Sequence, residues 1–135
     1  MKYWLLKTEP QNWSWTDQLK SKNQIAEWNG VRNYQASKNL KAMKKNDLCF
    51  FYHSGKEKRI IGIVRIIKEH FRDKANKFIS VMVRGEDKLS KPVTLKKIKK
   101  DKFFKELALV KQSRLLVMEI NTKCWKKICK MSNMD

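Results

Sequence analysis

Cysteine, glycine, histidine and acidic residues are all scarce here, and each shortage excludes something. Three cysteines, an odd number at unrelated spacings, cannot make a disulfide framework and are expected to be reduced thiols of an intracellular core. Cys124 and Cys129 are five apart, neither i, i+3 nor i, i+4. With no Cys-x-x-Cys and only two histidines, His53 and His70, the chain is expected to hold no metal and no cofactor. Four glycines include no phosphate-binding glycine loop and no Gly-x-Ser-x-Gly elbow. Carboxylates number 13 and form no paired acidic site. Adjacent His53 and Ser54 would point to opposite faces of an extended backbone, the wrong geometry for a base and its nucleophile. Catalysis is therefore not expected. No apolar run approaches a bilayer's thickness, and residues 1–7 are too short and too soon interrupted for a signal peptide. The reading is a cytoplasmic domain with no membrane contact, one unit over residues 1–135, its oligomeric state unread with a monomer favoured.

What is abundant is lysine. A formal charge of +19 attracts polyanions, and nucleic acid is the commonest in a cell. Lysines spread over every segment also suit a solvated surface or a codon bias. The six arginines are more informative, because guanidinium suits planar bidentate contacts. Two of them, Arg32 and Arg114, fall in motif-like stretches.

Periodicity sets the expected elements. Tyr3 to Lys7 reads as a strand ended by Thr8-Glu9-Pro10. Ser14-Trp15-Thr16-Asp17 has the form of a capping box opening a helix to about Lys22, anchored by Trp13, Trp15 and Leu19. Ser21 to Glu27 reads as a polar connection. A helix over Tyr34 to Met43 places Ala36, Leu40 and Met43 on one face, with Asn33 as N-cap. Leu48 to Tyr52, apolar on both faces, is a buried strand pairing as a hairpin with Ile60 to Ile67. Arg72 to Lys77 is a polar, mobile connection before a strand over Phe78 to Val83. Pro92 to Leu95 starts a short helix with Thr94 as cap, and another lies around Phe103 to Leu107. A turn at Lys111 to Arg114 precedes a last strand, Leu115 to Ile120. Thr122 then caps a helix with Trp125, Ile128 and Cys129 as its apolar stripe. The sum is an α+β domain, a small, mostly antiparallel curved sheet or barrel with helices at its ends.

Around these elements lie stretches that belong together: Trp4 to Pro10, Trp13-Ser14-Trp15, Trp28-x-Gly30-Val31-Arg32-Asn33-Tyr34-Gln35-Ala36, Phe51-Tyr52-His53-Ser54 and Gln112-Ser113-Arg114-Leu115. Together, in this order and across essentially the whole chain, they resemble the EVE domain family. The resemblance implies the pseudo-barrel of the PUA superfamily, related to the YTH readers of methylated adenine in RNA. It further implies a non-catalytic domain binding DNA or RNA that carries a modified base, flipped out or single-stranded, in an aromatic, polar-rimmed pocket. By the same resemblance Lys7 and Thr8 border the pocket and Trp28 is one wall. Gly30, Val31, Arg32 and Asn33 supply hydrogen bonds, with Tyr34 beside them. Tyr52, His53 and Ser54 lie across from these, and Gln112, Ser113 and Arg114 buttress the rim. Arg32 either clamps a phosphate or braces its loop against Glu9. Phe78 stands where the family tends to carry tryptophan, so a cage built on it is weaker or differently shaped. Two other readings share these residues: a module binding a peptide or small ligand, and a small hydrolase or nuclease.

Overall fold

The computed structural model describes residues 1–30 and 33–133. Six strands form one sheet: β1 (Tyr3–Thr8), β2 (Ile25–Asn29), β3 (Leu48–His53), β4 (Arg59–Arg72), β5 (Ile79–Thr94) and β6 (Val117–Ile120). Their spatial order is β2-β5-β4-β3-β1-β6. Every pairing is antiparallel except the parallel β1–β3 pair, which aligns Lys7 with Tyr52 and Thr8 with His53. Five helices accompany the sheet among the described residues: α1 (Trp15–Lys20), α2 (Tyr34–Ala42), α3 (Leu95–Lys100), α4 (Ala108–Lys111) and α5 (Thr122–Met131). The architecture is thus α+β, with a mixed, open sheet.

Both faces of the sheet are buried, which is why β1 and β3 read as continuous apolar runs. Alternation divides them. Leu5, Phe50 and Tyr52 face one core, closed by α3, α4 and α5. Trp4, Leu6, Cys49 and Phe51 face the other, with α1 and α2 above them. In the first core Trp125 stacks on Phe50 (3.7 Å between centroids, 17°) and on Tyr3 (4.4 Å, 18°). In the second, Trp15 meets Phe51 edge-on at 5.2 Å. Gly62 makes room for that indole, since a Cβ there would lie 2.6 Å from the Trp15 ring. Buried Asp47 ties the entry of the chain to β3, accepting from the Trp4 indole N–H (3.0 Å) and the backbone N–H groups of Lys2 and Lys44.

The local expectations hold at the capped helices. Ser14 and Asp17 make the full capping box of α1, and the Asn33 side chain accepts from the Ala36 N–H (2.7 Å) at the start of α2. Thr94 caps α3.

Several boundaries differ. The helix expected around Phe103 to Leu107 is a short 3-10 turn, Lys102–Phe104, followed by α4, and the last strand begins at Val117 rather than Leu115. The expected connection over Ser21 to Glu27 contains a short 3-10 turn and then β2, an edge strand too polar on one side to declare itself. Strands β4 and β5 run well beyond Ile67 and Val83, so Pro92 and Val93 are strand. Their register shifts at Ile60/Gly62, Ile63/Val64, Ile66/Lys68 and Lys68/Phe71. Such bulges bend a long strand and break its period-two signature. The connection over Arg72 to Lys77 is a built turn, in which Asp73 accepts from the N–H groups of Ala75 and Asn76. Finally, Asn121 rather than Thr122 caps α5, accepting from the Cys124 N–H. Cys124 joins the core while Cys129 is only partly buried.

Candidate functional site

β1 and β2 are separated by three strands in the sheet, yet residues of both line one cleft of about 420 Å³. The sheet must therefore curl, bringing the end of β2 round toward the end of β1, and the bulges of β4 and β5 permit this. α2 packs across the gap against β4, β5 and β6, and the Asn39 side-chain amide donates to the Val117 carbonyl (2.6 Å). The cleft opens where these pieces fail to close completely. Lys7, Thr8, Asn12 and Trp13 form one side, Glu27, Trp28, Asn29 and Gly30 another, and Ala36, Leu116 and Val117 the remainder.

Trp28 is 8% exposed. It is pinned by an edge-on contact with Phe51 (5.4 Å, 77°) and pairs across the sheet with Val81. It is core and wall at once. Trp13 is the second indole of the cleft, and its Nε1–H donates to Oε1 of the fully buried Gln18 (2.9 Å), whose amide in turn donates to the Gln24 carbonyl. The Thr8 hydroxyl is committed to the Trp13 carbonyl (2.9 Å). Gly30 is required by packing: a Cβ would stand 2.8 Å from the Ser37 hydroxyl oxygen and 3.0 Å from its backbone nitrogen. Its close approach is to α2.

Two charged groups border the cleft. Lys7 Nζ donates to the Ser113 carbonyl (3.0 Å) and lies 5.5 Å from the centre of the Tyr52 ring. Burial holds its ammonium below its ordinary pKa, and repulsion from Lys99 adds to this. Glu27 accepts from the Ser80 hydroxyl (2.9 Å). Desolvation pushes its carboxyl up, as does its hydrogen bond with Asp73.

Of the residues expected around the pocket, Lys7, Thr8, Trp28 and Gly30 line this cleft. Val31 and Arg32 lie outside the described residues. Asn33 is spent as the cap of α2, and Tyr34, at the first turn, is 86% exposed and not among the lining residues. Gln112, Ser113 and Arg114 line a neighbouring polar hollow with Asn33 and Gln35, joined to the cleft by the Lys7–Ser113 bond. Phe78 directly precedes β5 and is not among the lining residues.

The Phe51 to Ser54 stretch does not reach the cleft. Tyr52 follows Phe50 by two positions along β3 and packs with it in the first core, where burial pushes its phenol up to about 12. Nε2 of His53 accepts from the Trp15 N–H (3.0 Å), so the neutral ring carries its proton on Nδ1, against Glu57 Oε1 at 2.9 Å. That bond holds the Glu57 carboxyl below its usual range. Ser54 donates to Glu9 (3.3 Å), not to the imidazole. Among the described residues, no three potential ligands converge as a metal site would need.

Trp13 and Asn12 join the site without having been expected there. Trp13 is visible within Trp-Ser-Trp, but its position beside a helix start marks it as a core anchor. Leu116 and Val117 carry no sequence signal and come in beside β1, where Leu6 pairs with Val117 and the Lys7 N–H donates to the Leu116 carbonyl (2.9 Å).

Comparison with known proteins follows the same outline. Thymocyte nuclear protein 1 of Gallus gallus is 46% identical over 81 residues, covering 53% of this chain and 34% of that protein. The chain thus matches about a third of the length of such relatives. A crystal structure of an Agrobacterium tumefaciens protein superposes with a TM-score of 0.94 at 35% identity, covering 99% of this chain and 94% of that one. The human THYN1 protein, solved in complex with 5-methylcytosine containing DNA, superposes with a TM-score of 0.91 at 25% identity, over 100% and 99%. The EVE domain model matches residues 2–131, and the chain belongs to the EVE domain family.

Proposed function

We propose that residues 1–135 act as one non-catalytic nucleic-acid-binding domain whose Trp28 cleft takes a single modified base, unpaired or flipped out of a duplex. The observation that carries this reading is the cleft itself, walled by two indoles, Trp13 and Trp28, and rimmed by Asn12, Asn29 and Thr8. A flat heterocycle needs such a combination, an aromatic wall for its face and amides for its edge. The human THYN1 complex with methylated DNA supports the ligand class, and the charge of +19 supports a polyanion. The commitment of His53 and Ser54 to structural bonds supports a reader over a hydrolase.

Magnitudes fit a selective reader. Extracting a base from a duplex costs a few kcal/mol. Stacking on an indole returns about 1–3 kcal/mol, and phosphate contacts supply most of the rest. One methyl in an apolar slot adds roughly 10–200-fold discrimination. The test compares an oligonucleotide carrying one 5-methylcytosine with its unmodified twin, in single-stranded and duplex forms. Trp28→Ala is expected to erase the preference and keep the salt-sensitive background. A folded Trp28→Ala protein that still prefers the modified strand would overturn the reading.

A further inference from the structure

Away from the cleft, a groove of about 500 Å³ runs between the β3–β4 loop and α3, with Lys56 and Lys58 on one wall and Lys96 and Lys99 on the other. The walls are stitched together, because the Leu95 N–H donates to the Lys58 carbonyl (2.8 Å). On α3, Ile98 is buried and Lys96 and Lys99, three apart, share the exposed side. Lys58 holds a left-handed backbone (φ 47°), which a residue other than glycine adopts at a cost.

Four lysines therefore line one concavity, and no carboxylate pairs with them there. Its single carboxylate, Glu57, is already engaged by His53 (2.9 Å) and Arg59 (3.0 Å). None of the four lysines has an ion pair among the described residues, whereas Lys2, Lys111 and Lys127 each have one. A concave surface of one sign focuses its field on a ligand of the other. The β3–β4 loop is also anchored beside the cleft, since the Ser54 N–H donates to the Thr8 carbonyl (2.9 Å) and Thr8 lines the cleft.

We propose that the groove between the β3–β4 loop and α3 is the track for the sugar–phosphate backbone of the nucleic-acid strand whose base enters the Trp28 cleft. This rests on the base-reading assignment of the cleft. Lysine suits the task, as a point charge on a flexible stem that follows a phosphate without reading sequence. Bases along the track are left unread, so sequence preference comes from the cleft alone.

The experiment titrates fluorescein-labelled oligonucleotides, with and without one 5-methylcytosine, from about 50 to 200 mM salt. It uses the wild-type chain and two charge-matched quadruple variants. One carries Lys56→Gln, Lys58→Gln, Lys96→Gln and Lys99→Gln. The other carries Lys20→Gln, Lys41→Gln, Lys44→Gln and Lys45→Gln, all exposed positions elsewhere. Thermal melts confirm folding of both. Removing one lysine–phosphate pair flattens the slope of log K against log salt by about 0.7–0.9, so the groove variant is expected to flatten by about 3 and the control by less than about 1. The methylation preference of the groove variant stays at the wild-type ratio. Equal flattening in both variants overturns the track, as does no flattening in either. If the wild-type chain shows no preference for the modified strand, the cleft assignment fails by itself. The difference between the two slopes still decides whether the groove binds backbone.

Discussion

Trp125 and Trp28 are almost equally hidden, at 6% and 8% exposure, yet they belong to different kinds of place. Trp125 is stacked against Phe50 and Tyr3 at small interplanar angles, and aliphatic side chains of α5 and the sheet fill the rest. Trp28 has a single edge-on ring contact and borders a cleft. Fractional exposure cannot tell a sealed indole from a pocket wall. What distinguishes them is whether neighbouring elements close over the ring. The helices of the first core do so. On the other side the curled sheet and α2 meet imperfectly, and the gap is the site.

The sharpest way to break this comparison is to truncate both indoles. Trp125→Ala should lose about 3–5 kcal/mol of stability, as large aromatic deletions in cores do, read from urea or thermal unfolding. Its affinity for nucleic acid under conditions where it is folded should be unchanged. Trp28→Ala should lose less stability than Trp125→Ala, because part of its surroundings is already open. Its larger deficit should appear in binding, about 1–3 kcal/mol for one stacked base. Equal stability losses would mean the two environments do not differ as described.

A smaller effect is expected at the start of α2, in the neighbouring hollow. Asn33→Ala removes the α2 cap and should cost about 1 kcal/mol, whereas Asn33→Ser should recover most of it. The smallest is a pH effect at the β3–β4 loop. The Glu57 carboxyl is held low chiefly by its bond with His53. A lowered carboxylate contributes stability above its ordinary value of 4.5, and that contribution fades as pH falls through the folded value. Unfolding midpoints of the wild type should therefore drop on acidification below that range. Glu57→Gln should show a shallower drop, while methylation preference is unaffected because Glu57 does not line the cleft.

Legibility followed the range of the interactions. The caps at Ser14, Asn33 and Thr94 depend on a side chain and a backbone amide three positions away, so four residues suffice to read them. The buried strand β3 was legible because both its faces are apolar. β2 was not, because an edge strand pairs on one side only and need not alternate. The lengths of β4 and β5 were hidden by their bulges. His53 and Tyr52 belong to a family pattern whose other stretches supply Lys7, Thr8, Trp28 and Gly30 to the cleft, and that company is what suggested a place for them there. Alternation along β3 puts Tyr52 with Phe50 in the first core, and the Trp15 N–H captures the His53 ring.

Alone, then, the chain's residue order determined the starts of α1, α2 and α3, the two-faced burial of the central strands, the charge of +19 and the family pattern. All of these are local or additive properties. The family pattern already set Trp28 and Lys7 at one pocket, but only the tertiary structure decided how strands with three others between them bring these residues to one cleft, and that Trp13 joins them. The curl that brings them together is a long-range outcome of bulges and of the packing of α2, and no window of sequence contains it.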